Sequence, residues 1–131
     1  MSVIITHEIP FHDVDSLNIV WHGHYYKYFE LARTALYRSV NFDIDDMEKL
    51  GHTFPVIESH CRYTASLKYG QKINISACFS EWEYYLLIHY KISCQEKDQR
   101  LAYGHTKQAV CNLTGNLLKQ VPQSIKHVIQ T

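Results

Sequence analysis

Two carboxylates and two histidines stand close together near the amino terminus, at Asp13, Asp15, His22 and His24. They follow an apolar segment and precede one with helical periodicity, so residues 13–21 form a connection between two elements. Catalytic and binding groups concentrate on loops that rigid elements hold in place. A carboxylate or an imidazole can act as a general base, a nucleophile or a proton shuttle. We therefore expect the chemistry of this protein in and directly after this connection.

Each of these side chains also has a structural interpretation. For Asp13 we favour a turn-forming or helix-capping role, whereas for Asp15 we favour a functional one. We interpret His24 as a polar residue at a helix start or as a supporting group, and His22 as functional. Two histidines two residues apart can share a metal ion on a strand, but on a helix they diverge. No other cluster supplies further ligands at useful spacing, so we predict no metal site.

The helix after the connection is predicted to begin near His22 and Gly23. Its first N–H groups have no partner within the helix, and the helix dipole reinforces them, so they can polarise a carbonyl oxygen. Glycine at position 23 leaves space for a substrate to approach. A carboxylate, an imidazole and a helix N-terminus within reach of one point suit an acyl-transfer reaction.

The periodicity of apolar residues predicts the elements that position these groups. Residues 3–11 read as a strand and residues 23–40 as the longest helix, with an apolar stripe along one face. A short helix follows, capped by Asp43 and ended by Gly51. Four strands are predicted at 53–63, 72–82, 84–94 and 100–113, and a short C-terminal helix is predicted to start at Pro122.

Helices grouped early and strands grouped late predict an α+β protein, with one long helix packed on an antiparallel five-stranded sheet. We expect residues 1–131 to form one domain, since this length supports one hydrophobic core. Such a sheet has open edges, which favour pairing with a second copy of the chain. The pattern thus predicts a homodimer.

The composition excludes some functional classes. The formal net charge is zero, which argues against a nucleic-acid binder, because phosphate contacts need a surplus of Lys and Arg. No apolar run has the length of a membrane span, and the first ten residues lack a signal-peptide layout. We expect a cytoplasmic protein without a cofactor. The four cysteines are evenly spaced, which suggests one small buried residue on each strand.

Three motifs of the chain resemble the signature of the 4-hydroxybenzoyl-CoA thioesterase branch of the hot-dog superfamily. They are Phe11-x-Asp13-x-Asp15, Ile19-Val20-Trp21-His22-x-x-Tyr25 and Tyr28-Phe29-Glu30-x-Ala32-Arg33. The likeness is strongest to Tol–Pal-associated acyl-CoA thioesterases and to relatives that accompany bacterial fatty-acid-like and aryl-polyene synthase clusters. Weaker matches extend it over nearly the whole chain, at Pro55-Val56, Arg62-Tyr63, Lys68-Tyr69-Gly70-Gln71 and Glu81-Trp82-Glu83.

The resemblance implies a hot-dog fold, in which the sheet wraps around the long helix. It implies a homodimer or a dimer of dimers with active sites at the interface, and hydrolysis of an acyl thioester of coenzyme A or acyl carrier protein. The catalytic aspartate of the family falls on Asp15 and its histidine at the helix start falls on His22. The backbone amide that polarises the carbonyl falls near His22 or Gly23.

The predicted substrate-binding residues are Gly23, His24, Tyr25, Arg62 and Lys68. Arg62 and Lys68, together with Lys72, are candidates for phosphate contacts. An aromatic or polyene pocket could be lined by tyrosines, although tyrosines on a helix face more often belong to the core: Tyr25, Tyr26, Tyr28, Tyr63 and Tyr69. The chain departs from the family at two positions. Asn18 stands where the family often has Gly, which fits a left-handed backbone. His24 stands where the family often has Asn, so the shape of the pocket or the proton transfer near the thioester would differ.

A thioester suits these groups because its leaving thiol has a pKa of about 8–9 and departs with little acid assistance. Asp15 would act as a general base on water or as a nucleophile, and the sequence does not separate the two. One alternative is a hot-dog dehydratase or hydratase acting on acyl carrier protein substrates. In that class a histidine, here in the loop at His52, acts opposite a helix acid, here Glu30, across two subunits. Another is a non-catalytic acyl-binding module.

Overall fold

The structure is a computed structural model that describes residues 2–97 and 99–130. Five strands form one antiparallel sheet: β1 Ser2–Glu8, β3 Val56–Tyr63, β4 Lys72–Glu81, β5 Leu86–Cys94 and β6 Arg100–Gln108. Their order in the sheet is β1-β4-β5-β6-β3. Three helices accompany it: α1 Tyr25–Ser39, α2 Ile44–Leu50 and α3 Gln123–Gln130. Two short strands, β2 His52–Thr53 and β7 Cys111–Asn112, pair with each other.

The core lies between α1 and the inner face of the sheet. Alternate residues of β4 and β5 are buried, as predicted: Ile73, Ile75, Ala77 and Phe79, then Leu86, Ile88, Tyr90 and Ile92. From α1, the ring of Phe29 stacks on Tyr90 at 4.5 Å between ring centres. Because the long helix covers one face of a five-stranded sheet, the predicted α+β hot-dog architecture is confirmed.

A glycine on β6 lets the edge strand and the helix approach each other. A Cβ atom on Gly104 would lie 2.0 Å from the carbonyl oxygen of His60 on β3 and 2.9 Å from the ring of Phe29. Real Cβ contacts are never so short, so no larger side chain fits without moving backbone. The missing side chain of Gly104 therefore lets β3 and the ring of Phe29 both lie close to β6.

The short helix α2 forms as predicted. Asp43 is its N-cap and completes a capping box with Asp46, and Gly51 ends it in a left-handed conformation with φ 83°. The strand boundaries differ more. β1 ends before Pro10, and the predicted strand 100–113 stops at Gln108, because the chain turns there to form β7 against β2.

The cysteines lie one on each of β3, β4, β5 and β7, and all four are free. Only Cys111 is buried, and Cys78 is exposed, so the expectation that they would all be small core residues was wrong. Inward and outward positions alternate along a strand, and even spacing in sequence does not select the inward ones. In the described residues, no helix is long and apolar enough to span a membrane.

Candidate active site

The connection that carries Asp15 folds back on itself. The Asp15 N–H donates to the carbonyl oxygen of Ile19 at 2.9 Å, and Val14 pairs with Val20 as an isolated antiparallel bridge. At the tip, the N–H of Asn18 donates to the Asp15 carbonyl at 3.0 Å. Asn18 is left-handed, with φ 64°, as its position suggested, and asparagine tolerates this conformation well. The backbone of Asp15 is thus held on both sides.

The carboxylate of Asp15 is only partly engaged by the protein. Its Oδ1 accepts a hydrogen bond from the N–H of Leu17 at 2.8 Å, which is an Asx turn. No described residue donates to its Oδ2. One carboxylate oxygen is therefore oriented by its partner while the other is free to accept a proton or attack a carbon.

Asp15 lines an open cleft of about 330 Å³. Three of the predicted site residues meet there: Asp15, His22 and Tyr25. The other lining residues are Leu17, Ile19, Val20, Tyr63, Thr64, Ala65 and Ser66. Of the last four, Tyr63 ends β3 and the other three follow it. The sequence named Tyr63 as a candidate for the acyl pocket, whereas no sequence signal pointed to Thr64, Ala65 and Ser66.

A single 3₁₀ turn, His22–His24, precedes α1, so the long helix begins at Tyr25 rather than at Gly23. The N–H of His24 donates to the Trp21 carbonyl at 3.0 Å. Within the described part of the chain, the amides of His22 and Gly23 have no acceptor. These are the free N–H groups that the sequence predicts at the start of the helix.

Gly23 has a packing role that the sequence did not reveal. A Cβ atom there would lie 2.2 Å from the indole ring of Trp21. The indole therefore rests directly on the backbone of Gly23, and the rings of His22 and His24 flank it at 5.1 and 5.3 Å. In this structure the missing side chain makes space for Trp21, whereas we had expected it to make space for a substrate.

Tyr63 joins the end of β3 to the start of the helix. Its hydroxyl donates to the carbonyl oxygen of His22 at 3.0 Å, and its ring meets Tyr25 edge-on with 4.6 Å between centres. Partial burial raises the pKa of Tyr63 to about 12, and burial also raises the pKa of Tyr25. Both phenols therefore stay protonated near neutral pH.

Asp13 lies beneath the cleft and does not line it. Its side chain is fully buried; Oδ1 accepts from Lys27 Nζ at 2.5 Å and Oδ2 from the Tyr28 hydroxyl at 2.7 Å. Burial alone would raise the pKa of the Asp13 carboxyl, but the bonds from Lys27 and Tyr28 outweigh it and hold that pKa below its ordinary value. Asp13 is thus a buried anion bound to side chains of α1. Among the residues described, its carboxylate caps no helix and forms no turn, so the specific role that we favoured for it was wrong.

The remaining predicted binding residues lie outside the cleft in the single chain. His24 turns towards Asp13, with 3.9 Å between Nε2 and Oδ1. Arg62 is exposed on β3 opposite Tyr103, and Lys68 is exposed in the loop before β4. One chain therefore brings Asp15, His22 and Tyr25 together but leaves His24, Arg62 and Lys68 apart from them.

The groups named for the rival chemistries lie apart in one chain. Glu30 forms an ion pair with Arg33 and lines a different cavity from His52, so a dehydratase would have to pair these two residues across two subunits. Burial raises the pKa of the Cys61 thiol, which makes a thiolate nucleophile scarce. Across residues 2–97 and 99–130, no group of three His, Cys, Asp or Glu side chains is placed to hold a metal ion.

The comparisons with known proteins agree on one family. Residues 9–129 match the thioesterase-like superfamily. A Synechocystis protein provisionally named an esterase is 29% identical over 117 residues, which are 88% of this chain and 70% of that one. These matches do not separate the Tol–Pal-associated branch from the rest of the superfamily.

Two solved structures share the fold. A 1,4-dihydroxy-2-naphthoyl-CoA thioesterase from Synechocystis has a TM-score of 0.87 at 16% identity, covering 99% of this chain and 96% of that one. A variant of 4-hydroxybenzoyl-CoA thioesterase with bound 4-hydroxybenzoyl-CoA has a TM-score of 0.86 at 15% identity, covering 98% of both. With the family match over residues 9–129, the chain belongs to the thioesterase-like superfamily of hot-dog proteins.

Proposed function

We propose that this protein hydrolyses an acyl-CoA thioester in the cleft that Asp15 lines. The observation that carries the proposal is the shared cleft of Asp15 and His22. A carboxylate with one free oxygen lies there beside the helix start, whose amides have no acceptor in the described chain. A nucleophilic or basic group next to a carbonyl-polarising group is what acyl transfer requires.

In this mechanism the thioester carbonyl oxygen accepts hydrogen bonds from the amides at His22 and Gly23. Asp15 either takes a proton from a water molecule that attacks the carbonyl carbon, or attacks that carbon itself to give an anhydride that water then opens. The C–S bond breaks and the thiolate leaves, with little need for an acid because its pKa is about 8–9. His22 would orient the carbonyl or the water, or carry a proton away.

Coenzyme A is the carrier we favour over acyl carrier protein. Both solved structures compared above are named as CoA thioesterases with aromatic acyl groups, and one is an aspartate-to-asparagine variant holding its CoA substrate. In this chain, the rings of Tyr25 and Tyr63 line the cleft beside Leu17 and Ile19, which suits an aromatic or otherwise apolar acyl group. Lys68 and Arg62 remain our candidates for the phosphates, and a cytoplasmic location would give access to acyl-CoA.

The active form is proposed to be a homodimer. β3 is an edge strand of the sheet, and all but one of its residues are exposed, including the apolar Val56 and Ile57. An exposed apolar edge strand offers unpaired N–H and C=O groups to another strand. Pairing of β3 with β3 of a second copy would cover this edge, and because Tyr63 ends β3, it would place the second copy beside the cleft.

The proposal is tested by following thiol release from a panel of aromatic and aliphatic acyl-CoAs and the matching acyl carrier protein thioesters. We expect turnover of at least one acyl-CoA, and a loss of about a hundredfold or more in Asp15→Asn, as for other groups that act directly on the reacting carbonyl. Asp43→Asn is the matched control, because Asp43 caps α2 and does not line the cleft. Release that survives Asp15→Asn would move the reaction away from this carboxylate.

A further inference from the structure

We infer that Asp13 is a positioning residue for thioester hydrolysis, because it holds the loop of Asp15 in a fixed relation to the helix start at His22. This inference rests on the proposed function. Asp13 would thus be a second carboxylate, besides Asp15, on which the reaction depends, although it does not contact the substrate. Neither oxygen of Asp13 is free, since Lys27 and Tyr28 each donate to one of them.

A buried carboxylate needs strong compensation. The side chain of Asp13 is fully inaccessible to solvent, and transfer of an ion from water is strongly unfavourable unless the ion is paired and hydrogen-bonded. The compensation here comes from a cation and a phenol on α1. Asp13 is therefore bound to the first turn of that helix. Displacing it would leave the buried Tyr28 hydroxyl without its partner and the half-exposed Lys27 side chain without its ion pair.

Asp13 is attached at three points, and these link the two parts of the cleft. Its backbone continues through Val14 into Asp15. Its carbonyl oxygen accepts the N–H of Trp21 at 3.1 Å, directly before His22. Its carboxylate binds α1 at Lys27 and Tyr28. One residue thus fixes both the loop that carries the carboxylate and the turn that carries the free amides.

Two imidazoles, His24 and His12, also face the Asp13 carboxylate, with Nε2 atoms 3.9 and 3.6 Å from its Oδ1. The half-buried ring of His7 contacts Tyr28, with 5.2 Å between ring centres. His24 is the third residue of the turn that begins at His22. The Asp13 carboxylate therefore lies close to the end of the same turn whose start, at Trp21, its carbonyl oxygen anchors.

The test compares Asp13→Asn with wild type on the best acyl-CoA substrate. The carboxamide of asparagine has the size of the carboxylate but no negative charge to pair with Lys27. Its N–H₂ group would also face one of the two donors, the Lys27 ammonium or the Tyr28 hydroxyl. We expect kcat to fall by about 10- to 100-fold, the size of effect that a displacement of about 1 Å produces. KM should change by less than about threefold, because Asp13 makes none of the contacts that bind substrate and transition state equally. Tyr28→Phe, which removes one donor, should give a smaller decrease of kcat in the same direction.

Asp43→Asn separates positioning from general stability. Asp43 also binds a cation, Arg38, and supports a helix, so its loss should lower the melting temperature and leave kcat unchanged well below that temperature. Wild-type kcat in both Asp13→Asn and Tyr28→Phe would overturn the inference while the thioesterase proposal stands. If Asp13→Asn does not fold, Tyr28→Phe alone decides between these outcomes. A wild-type protein inactive on every thioester would overturn the proposed function itself, and the inference with it.

Discussion

The hydroxyl of Tyr63 donates a hydrogen bond of 3.0 Å to the carbonyl oxygen of His22. This bond joins the last residue of β3 to the turn that opens α1. It connects an edge strand, which a second copy would cover, with the backbone that is proposed to polarise the substrate. The position of that backbone therefore depends on both the loop below it and the strand beside it.

Tyr63→Phe should lower kcat/KM by about three- to tenfold, since one neutral hydrogen bond contributes about 1 kcal/mol. The ring contact with Tyr25 would remain, so the melting temperature should change little. Steady-state thiol release measures the effect. Tyr84→Phe is the control, because Tyr84 is exposed and does not line the cleft. Equal activity of both variants would show that this bond does not position the helix start.

Gly23→Ala should reduce kcat by about tenfold or more, because the new methyl group would displace the Trp21 ring and the turn beneath it. Near-ultraviolet circular dichroism should report the moved indole. Gly115→Ala is the matched control: its φ is 90° with open space around it, so it should cost about 1 kcal/mol of backbone strain at full activity. Full kcat in Gly23→Ala would rule out a role for this packing in the reaction.

The depressed pKa of Asp13 makes folding stability depend on pH. A carboxyl whose folded pKa lies below its unfolded value, about 3.9, stabilises the fold at higher pH. That contribution is lost as pH falls from the unfolded value through the folded one. Urea midpoints measured between about pH 6 and pH 3 should therefore fall more steeply in wild type than in Asp13→Asn. Parallel curves for the two proteins would mean that Asp13 is not the group that titrates.

Ile57→Lys should weaken the proposed dimer. Ile57 is 60% exposed in the single chain, and charged residues, lysine above all, are what edge strands use to prevent pairing. Light scattering after size exclusion should show a dimer for wild type and a larger monomer fraction for the variant. Ile4→Lys on the other edge strand, β1, is the control. Monomeric wild-type protein would contradict the proposal directly.

Local periodicity in the sequence was enough to predict most of the scaffold. The alternation in β4 and β5, the apolar stripe of α1 and the Asp43 cap of α2 all appear in the structure. Each depends on residues within a few positions of one another, which is the range over which strand and helix periods act. The motif around Asp15 and His22 likewise indicated the family before any geometry was known.

The tertiary structure decided which polar groups face the cleft. The sequence favoured different roles for Asp13 and Asp15, but only the fold shows what each side chain contacts. Asp13 is buried against residues 14 and 15 positions away, and Asp15 lines the cleft. The need for glycine at position 23 is explained by its contact with Trp21. The end of β6 lies at Gln108, whose side-chain amide donates to the Phe54 carbonyl at 2.6 Å. Such partners are chosen by the packing of distant segments, and no local period encodes them.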